Sequence, residues 1–158
     1  MTFATGDIID TFGAVDDVIN ATGSTSAVTD TSMSVAGDLT SWTNDEDAER
    51  AAVTIKWQYP SGTISAGASI ALYCRKMNVQ STNDESAVDA SNKKHYLGSA
   101  QVDEGLAATT DDYITFDIDL ENYKTSSVYE FFWENNTGVS MSAGWAAWIN
   151  TKSTNQKA

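Results

Sequence analysis

One cysteine, one histidine and one proline in 158 residues exclude whole classes of site. A single thiol permits neither an intrachain disulfide nor a thiolate metal cluster, and a single imidazole rules out any site that needs two. Basic residues are scarce too. Nine Lys plus Arg stand against 22 Asp plus Glu, a net charge of -13, and that field repels phosphate polyanions, so nucleic acid is not an expected partner. No apolar run approaches the roughly 18 residues of a membrane-spanning helix, and no membrane partner is expected. The opening Met1 to Asp7 lacks the basic and apolar regions of a signal peptide, which predicts a product made in the cytoplasm.

What is abundant points to β structure. Ser and Thr supply 36 residues, and five Trp, six Tyr and five Phe accompany them, a composition that suits pleated, half-buried surfaces. In Val53-Thr54-Ile55-Lys56-Trp57-Gln58-Tyr59 every odd position is apolar and every even one polar, and Pro60-Ser61-Gly62 closes the run. Tyr113 to Leu120 repeats the rhythm, with Ile114, Phe116, Ile118 and Leu120 opposite Thr115, Asp117 and Asp119. Further strands are predicted at Ser69 to Lys76, Val128 to Glu134, Val139 to Thr151, His95 to Val102, Ala14 to Asn20 and Ala27 to Val35. Within Val128 to Glu134, Phe132 breaks the alternation and is expected to pack on a neighbour. These segments predict an all-β antiparallel sandwich of about eight strands, jelly-roll-like. Its predicted core holds Val53, Ile55, Trp57, Ile70, Leu72, Ile114, Phe116, Ile118, Phe131 and Trp145.

The intervening stretches set the organisation. Residues 38–50 and 80–94 are acidic and too long for tight hairpins, as the long connections of a Greek key would be. Residues 1–12 hold Phe3, Ile8, Ile9 and Phe12 ahead of the first strong strand pattern, which predicts an N-terminal arm that contacts a neighbour; an edge strand of the chain's own sheet is the alternative. The sandwich is placed at 13–152 and a flexible polar tail at 153–158.

Catalysis finds little support in the residue types. Acids fall in loop clusters or on polar strand faces, where water keeps them ionised, and no pair is placed to work as acid and base. His95 has no serine elbow or exposed thiol to activate, so it is expected to be structural. Neither an enzymatic activity nor a cofactor is expected. Calcium ligation is a weaker expectation at Asp45, Asp47, Asp84 and Asp89, whose loops offer hard oxygen donors without the spacing of an EF-hand. Among the aromatics, Trp57, Trp133 and Trp145 are assigned to the core. Trp42, at a loop mouth, and Trp148, opposite Trp145 and Ile149, are the candidates for exposure, for contact with another subunit or for stacking on a sugar. The triplets beginning at Asn20 and Asn135 match glycosylation acceptors, which carry no weight without secretion.

Several short segments in order, Thr82-Asn83-Asp84-Glu85, His95-Tyr96-Leu97-Gly98-Ser99, Ser127-Val128-Tyr129-Glu130-Phe131, Glu134-Asn135-Asn136-Thr137-Gly138 and Ser142-Ala143-Gly144-Trp145, resemble a family of small virion proteins of tailed bacteriophages. The resemblance covers residues 35–152. It implies a structural protein of the particle, a capsid decoration or cement subunit assembled in the host cytoplasm, with the major capsid protein and copies of itself as partners and no catalytic motif. A carbohydrate-binding β-sandwich of a phage tail or fibre, touching a host glycan, is the alternative.

Overall fold

The computed structural model describes residues 8–12, 17–18, 26–44, 48–79, 83–120 and 128–156. Among them there is no helix; the strands are β1 (Ile8–Phe12), β2 (Asp17–Val18), β3 (Ser32–Met33), β4 (Trp42–Thr43), β5 (Arg50–Trp57), β6 (Ser69–Met77), β7 (Tyr96–Gln101), β8 (Asp112–Asp119), β9 (Val128–Asn136) and β10 (Ala146–Gln156). They form two antiparallel sheets, the all-β sandwich the alternation predicts. The first runs β1-β10-β5-β8 with β2 also on β10, and the second runs β3-β9-β6-β7 with β4 also on β9. β1 and β2 pair different stretches of β10, and β3 and β4 different stretches of β9, so the ten strands fill eight positions.

Local sequence explains the strands that build the core. In β5, Ala51, Val53, Ile55 and Trp57 are buried while Ala52, Thr54 and Lys56 are half-buried on the other side; in β8, Ile114, Phe116 and Ile118 are buried between exposed neighbours. The register sets Val53 opposite Phe116 and Ile55 opposite Ile114, so the inward residues of adjacent strands stand in rows. A one-residue slip would turn all of them to solvent, which fixes the pairing. All ten core residues named from the sequence lie in the core between the sheets, with Trp133 and Trp145 edge-to-face at 5.2 Å.

β9 turns out through Asn135-Asn136-Thr137-Gly138. Gly138 has a φ of 81°, and a Cβ there would collide with Ser65 Oγ, so the turn requires glycine. Asn135 is fully buried: its amide donates to the carbonyls of Val28 and Val139 at 2.9 and 2.7 Å, and its Oδ1 accepts from the Thr137 hydroxyl at 2.6 Å. That side chain locks the turn and is closed to glycosylation. The triplet at Asn20 begins outside the described residues.

Three expectations need correction. Residues 8–12 are not a free arm: β1 pairs with β10 from Ile8 opposite Gln156 to Phe12 opposite Lys152, the edge-strand alternative. By the same pairing the tail is strand as far as Gln156. A polar sequence carries no inward pattern, yet its N–H and C=O groups pair as well as any, and Thr-rich segments tolerate the extended conformation. Phe3 lies outside the described residues. Trp42 is the third correction. It is 6% exposed, because β4 lays it opposite Tyr129 and its ring tilts onto Phe131 at 6.1 Å. Trp42 therefore belongs to the core and offers no surface for a subunit or a sugar.

Candidate functional site

The outer side of the second sheet carries the densest polar chemistry. β6 and β9 are buried on both faces: inward residues such as Leu72 and Trp133 join the main core, while Ala71, Tyr73 and Phe132 join a second cluster with Val88. Phe132, out of step in the sequence, is fully buried there. The cover is the connection between β6 and β7, which folds back over the sheet instead of crossing to the other one.

Three carboxylates hold that cover. Glu130 is tied to Arg75 by Nε and Nη2, each at 2.6 Å, and accepts from the Gly37 N–H at 2.7 Å. The same guanidinium reaches the Glu85 carbonyl through Nη1 at 2.9 Å and lies 5.8 Å from the centre of the Phe132 ring. Glu134 accepts from Lys93 Nζ at 2.6 Å and from the Tyr73 hydroxyl at 2.9 Å. Glu85 accepts from the Lys76 N–H at 2.9 Å and is 3.0 Å from His95 Nε2. A buried carboxylate without such partners would carry a large desolvation penalty, so these pairings specify where the connection sits.

Charge states follow from the contacts. Burial would raise the Glu134 carboxyl, but the Lys93 ammonium and the Tyr73 hydroxyl outweigh it and hold the group below the ordinary carboxylate range. Burial, helped by the adjacent Glu134, pushes the Tyr73 hydroxyl up to about 12. Glu85 is also held low: burial opposes ionisation, while the Lys76 N–H and His95 favour it. The arrangement fastens strands to a loop. The Cys74 N–H donates to the His95 carbonyl at 3.1 Å, but the Cys74 side chain is buried in the main core while that of His95 is exposed.

The calcium candidates have other tasks where they are described. Asp84 accepts the Asn78 N–H at 2.8 Å, and Asp89 accepts the N–H groups of Ser91 and Asn92 at 2.7 and 2.9 Å, shaping the turns of the covering connection. Asp45 and Asp47 lie outside the described residues. Among the described residues no group of three or more His, Cys, Asp or Glu side chains is arranged to hold a metal ion.

Among the described residues, no hydrophobic cluster covers the outer side of the first sheet. Trp148 stands there, half-buried, opposite Thr54 of β5, and Asn150 stands opposite Ala52. With Tyr113 of β8, which is 59% exposed, these side chains line a shallow hollow of about 310 Å³. The hollow exists because the middle strand carries short side chains between a tryptophan on one flank and a tyrosine on the other. Sequence spacing placed Trp148 on this face but gave no sign of Tyr113, whose partnership depends on the β5–β8 register.

Comparison with protein-family models, with curated proteins and with solved structures finds no match to this chain.

Proposed function

We propose that this chain is a structural subunit of a tailed-bacteriophage virion, a capsid decoration subunit that binds the major capsid protein and copies of itself. Numbering the eight strand positions along the chain, position 1 pairs with 8, 2 with 7, 3 with 6 and 4 with 5, while 8 also pairs with 3 and 7 with 4. This order supports reading the sandwich as a jelly roll, one long antiparallel ribbon rolled into two sheets, an architecture shared by capsid and lectin domains. Architecture alone does not assign a role.

The observation that carries the reading is where the phage-like segments fall. Glu85 pairs with His95 and is linked to Glu130 through Arg75, Glu134 holds Lys93 over the same sheet, Asn135 to Gly138 lock the adjoining turn, and Trp145 packs on Trp133. The resemblance is thus concentrated on residues that fix the shape of the fold, which favours a common architecture over chance matches in loops. Their role as fasteners also suits a particle component, whose task is to hold its form against neighbours. Mass spectrometry and cryo-electron microscopy of purified particles of the phage encoding this chain test the reading. Many copies on the head are expected; absence from the particles, or a location confined to the tail, overturns it.

A further inference from the structure

The hollow on the first sheet has a chemistry of its own. The described side chains that line it are Ala52, Thr54, Tyr113, Trp148 and Asn150, two aromatics and two polar neutral groups around one methyl. Among the described residues no ionic side chain lines it. The nearest charges on this face are neutralised in pairs: Lys56 with Asp111 at 2.7 Å, and Lys152 with Asp117 at 2.5 Å. A charged ligand of either sign would find no unpaired partner in the hollow, and an anion would also meet the net charge of -13.

Thr54 has hydrogen-bonding capacity to spare. Thr54 and Thr115 share one hydrogen bond between hydroxyls at 2.9 Å, which uses one of their two O–H donors and leaves lone pairs on both oxygens. The aromatics stand on strands two apart, with β5 between them, so the hollow is about 10 Å wide at ordinary strand spacing. An open, uncharged depression flanked by indole and phenol, with hydroxyls between, matches a ligand that has flat C–H faces and many hydroxyl groups.

We propose that this outer face binds a neutral saccharide, with Trp148 and Tyr113 stacking on sugar rings and Thr54 hydrogen-bonding their hydroxyls. The proposal does not rest on the virion reading, because it concerns the isolated chain; either can fail without the other.

Intrinsic fluorescence gives a direct probe. Trp42, Trp57, Trp133 and Trp145 are each 6% exposed or less, so Trp148 dominates quenching by acrylamide. The full-length protein is titrated with maltohexaose, cellohexaose, a mannan oligosaccharide and a galactan oligosaccharide, alongside polygalacturonate as a charged comparison. At least one neutral oligosaccharide is expected to shield Trp148 at up to about 10 mM, with binding weakened roughly tenfold or more by W148A and by Y113A. Y113A changes an exposed side chain, so it reports on binding even if W148A disturbs the sheet. The proposal is overturned if no neutral oligosaccharide protects Trp148, if polygalacturonate binds in their place, or if binding survives both substitutions. It is equally overturned if sedimentation shows self-association that W148A abolishes, which would make a second copy the occupant.

Discussion

On the outer side of β5 and β8 the chain places Ala52, Thr54, Lys56, Tyr113, Thr115 and Asp117, all half-buried or exposed; on the outer side of β6 and β9 it places Ala71, Tyr73, Arg75, Glu130, Phe132 and Glu134, nearly all buried. The two sheets share one core, yet among the described residues only the second carries a covering layer. Its extra layer comes mainly from the β6–β7 connection, and the sheet beneath carries larger side chains, with Glu134 bound to Lys93 of the cover and Glu130 bound to Arg75, which reaches the Glu85 carbonyl. A sheet face that meets water needs only polar side chains, whereas one that is covered must pair every charge it buries.

The largest effect that would break this contrast is at Phe132. Replacing it with Ala removes a fully buried ring from beneath the cover and is expected to cost about 3–5 kcal/mol, read by denaturant unfolding. A loss near zero would mean that the connection does not rest on the second sheet in solution. Lys93→Met comes next. It leaves Glu134 buried with Tyr73 as a remaining partner, and about 1–3 kcal/mol is expected, with faster hydrogen exchange across residues 83–95.

Acidity and alkalinity should both act on the covered face. Glu134 and Glu85 are held below their ordinary range in the folded protein, so their contribution is complete above the unfolded carboxylate pKa and is lost as pH falls through the folded values. Tyr73 works in the opposite direction. Its folded pKa is pushed up to about 12, so the folded state holds this proton more tightly than the unfolded chain, and stability falls as pH rises from the ordinary tyrosine value toward 12. Unfolding monitored across both ranges should show two declines, and Tyr73→Phe should remove the alkaline one attributable to this hydroxyl. An unchanged alkaline decline in that variant would separate Tyr73 from the effect.

How much of this was legible depends on the face. Strict alternation made β5 and β8 plain, since one side meets the core and the other meets water. β6 and β9 were harder. Tyr73 and Phe132 sit on positions that a one-sided strand would make polar, and Phe132 was the visible signal that the second side is also covered. Glu130 and Glu134, by contrast, looked like ordinary solvent-facing acids, because their partners Arg75 and Lys93 lie 55 and 41 residues away in the chain. The same limit hid the core position of Trp42, set by its place opposite Tyr129, and the union of the two chain ends in β1 and β10. Local pattern reports the side a residue prefers; it does not report which distant segment supplies the other half of the contact.

The smallest expected effect tests the open face from the other direction. Thr54→Val removes one hydroxyl of the Thr54–Thr115 pair while keeping the β-branched shape that suits a strand. Cross-strand hydroxyl pairs on an exposed sheet contribute a few tenths of a kcal/mol, and water takes over the hydrogen bonds of the partner left behind, so a change of about 0.5 kcal/mol or less is expected in chemical denaturation. Phe132 and Thr54 would then differ roughly sixfold or more in their effect on stability, although both stand on the outer side of a sheet. If Thr54→Val instead costs more than about 1 kcal/mol, water is not reaching Thr115. The first sheet would then be covered as the second is, and the hollow beside Trp148 would be closed to an external sugar.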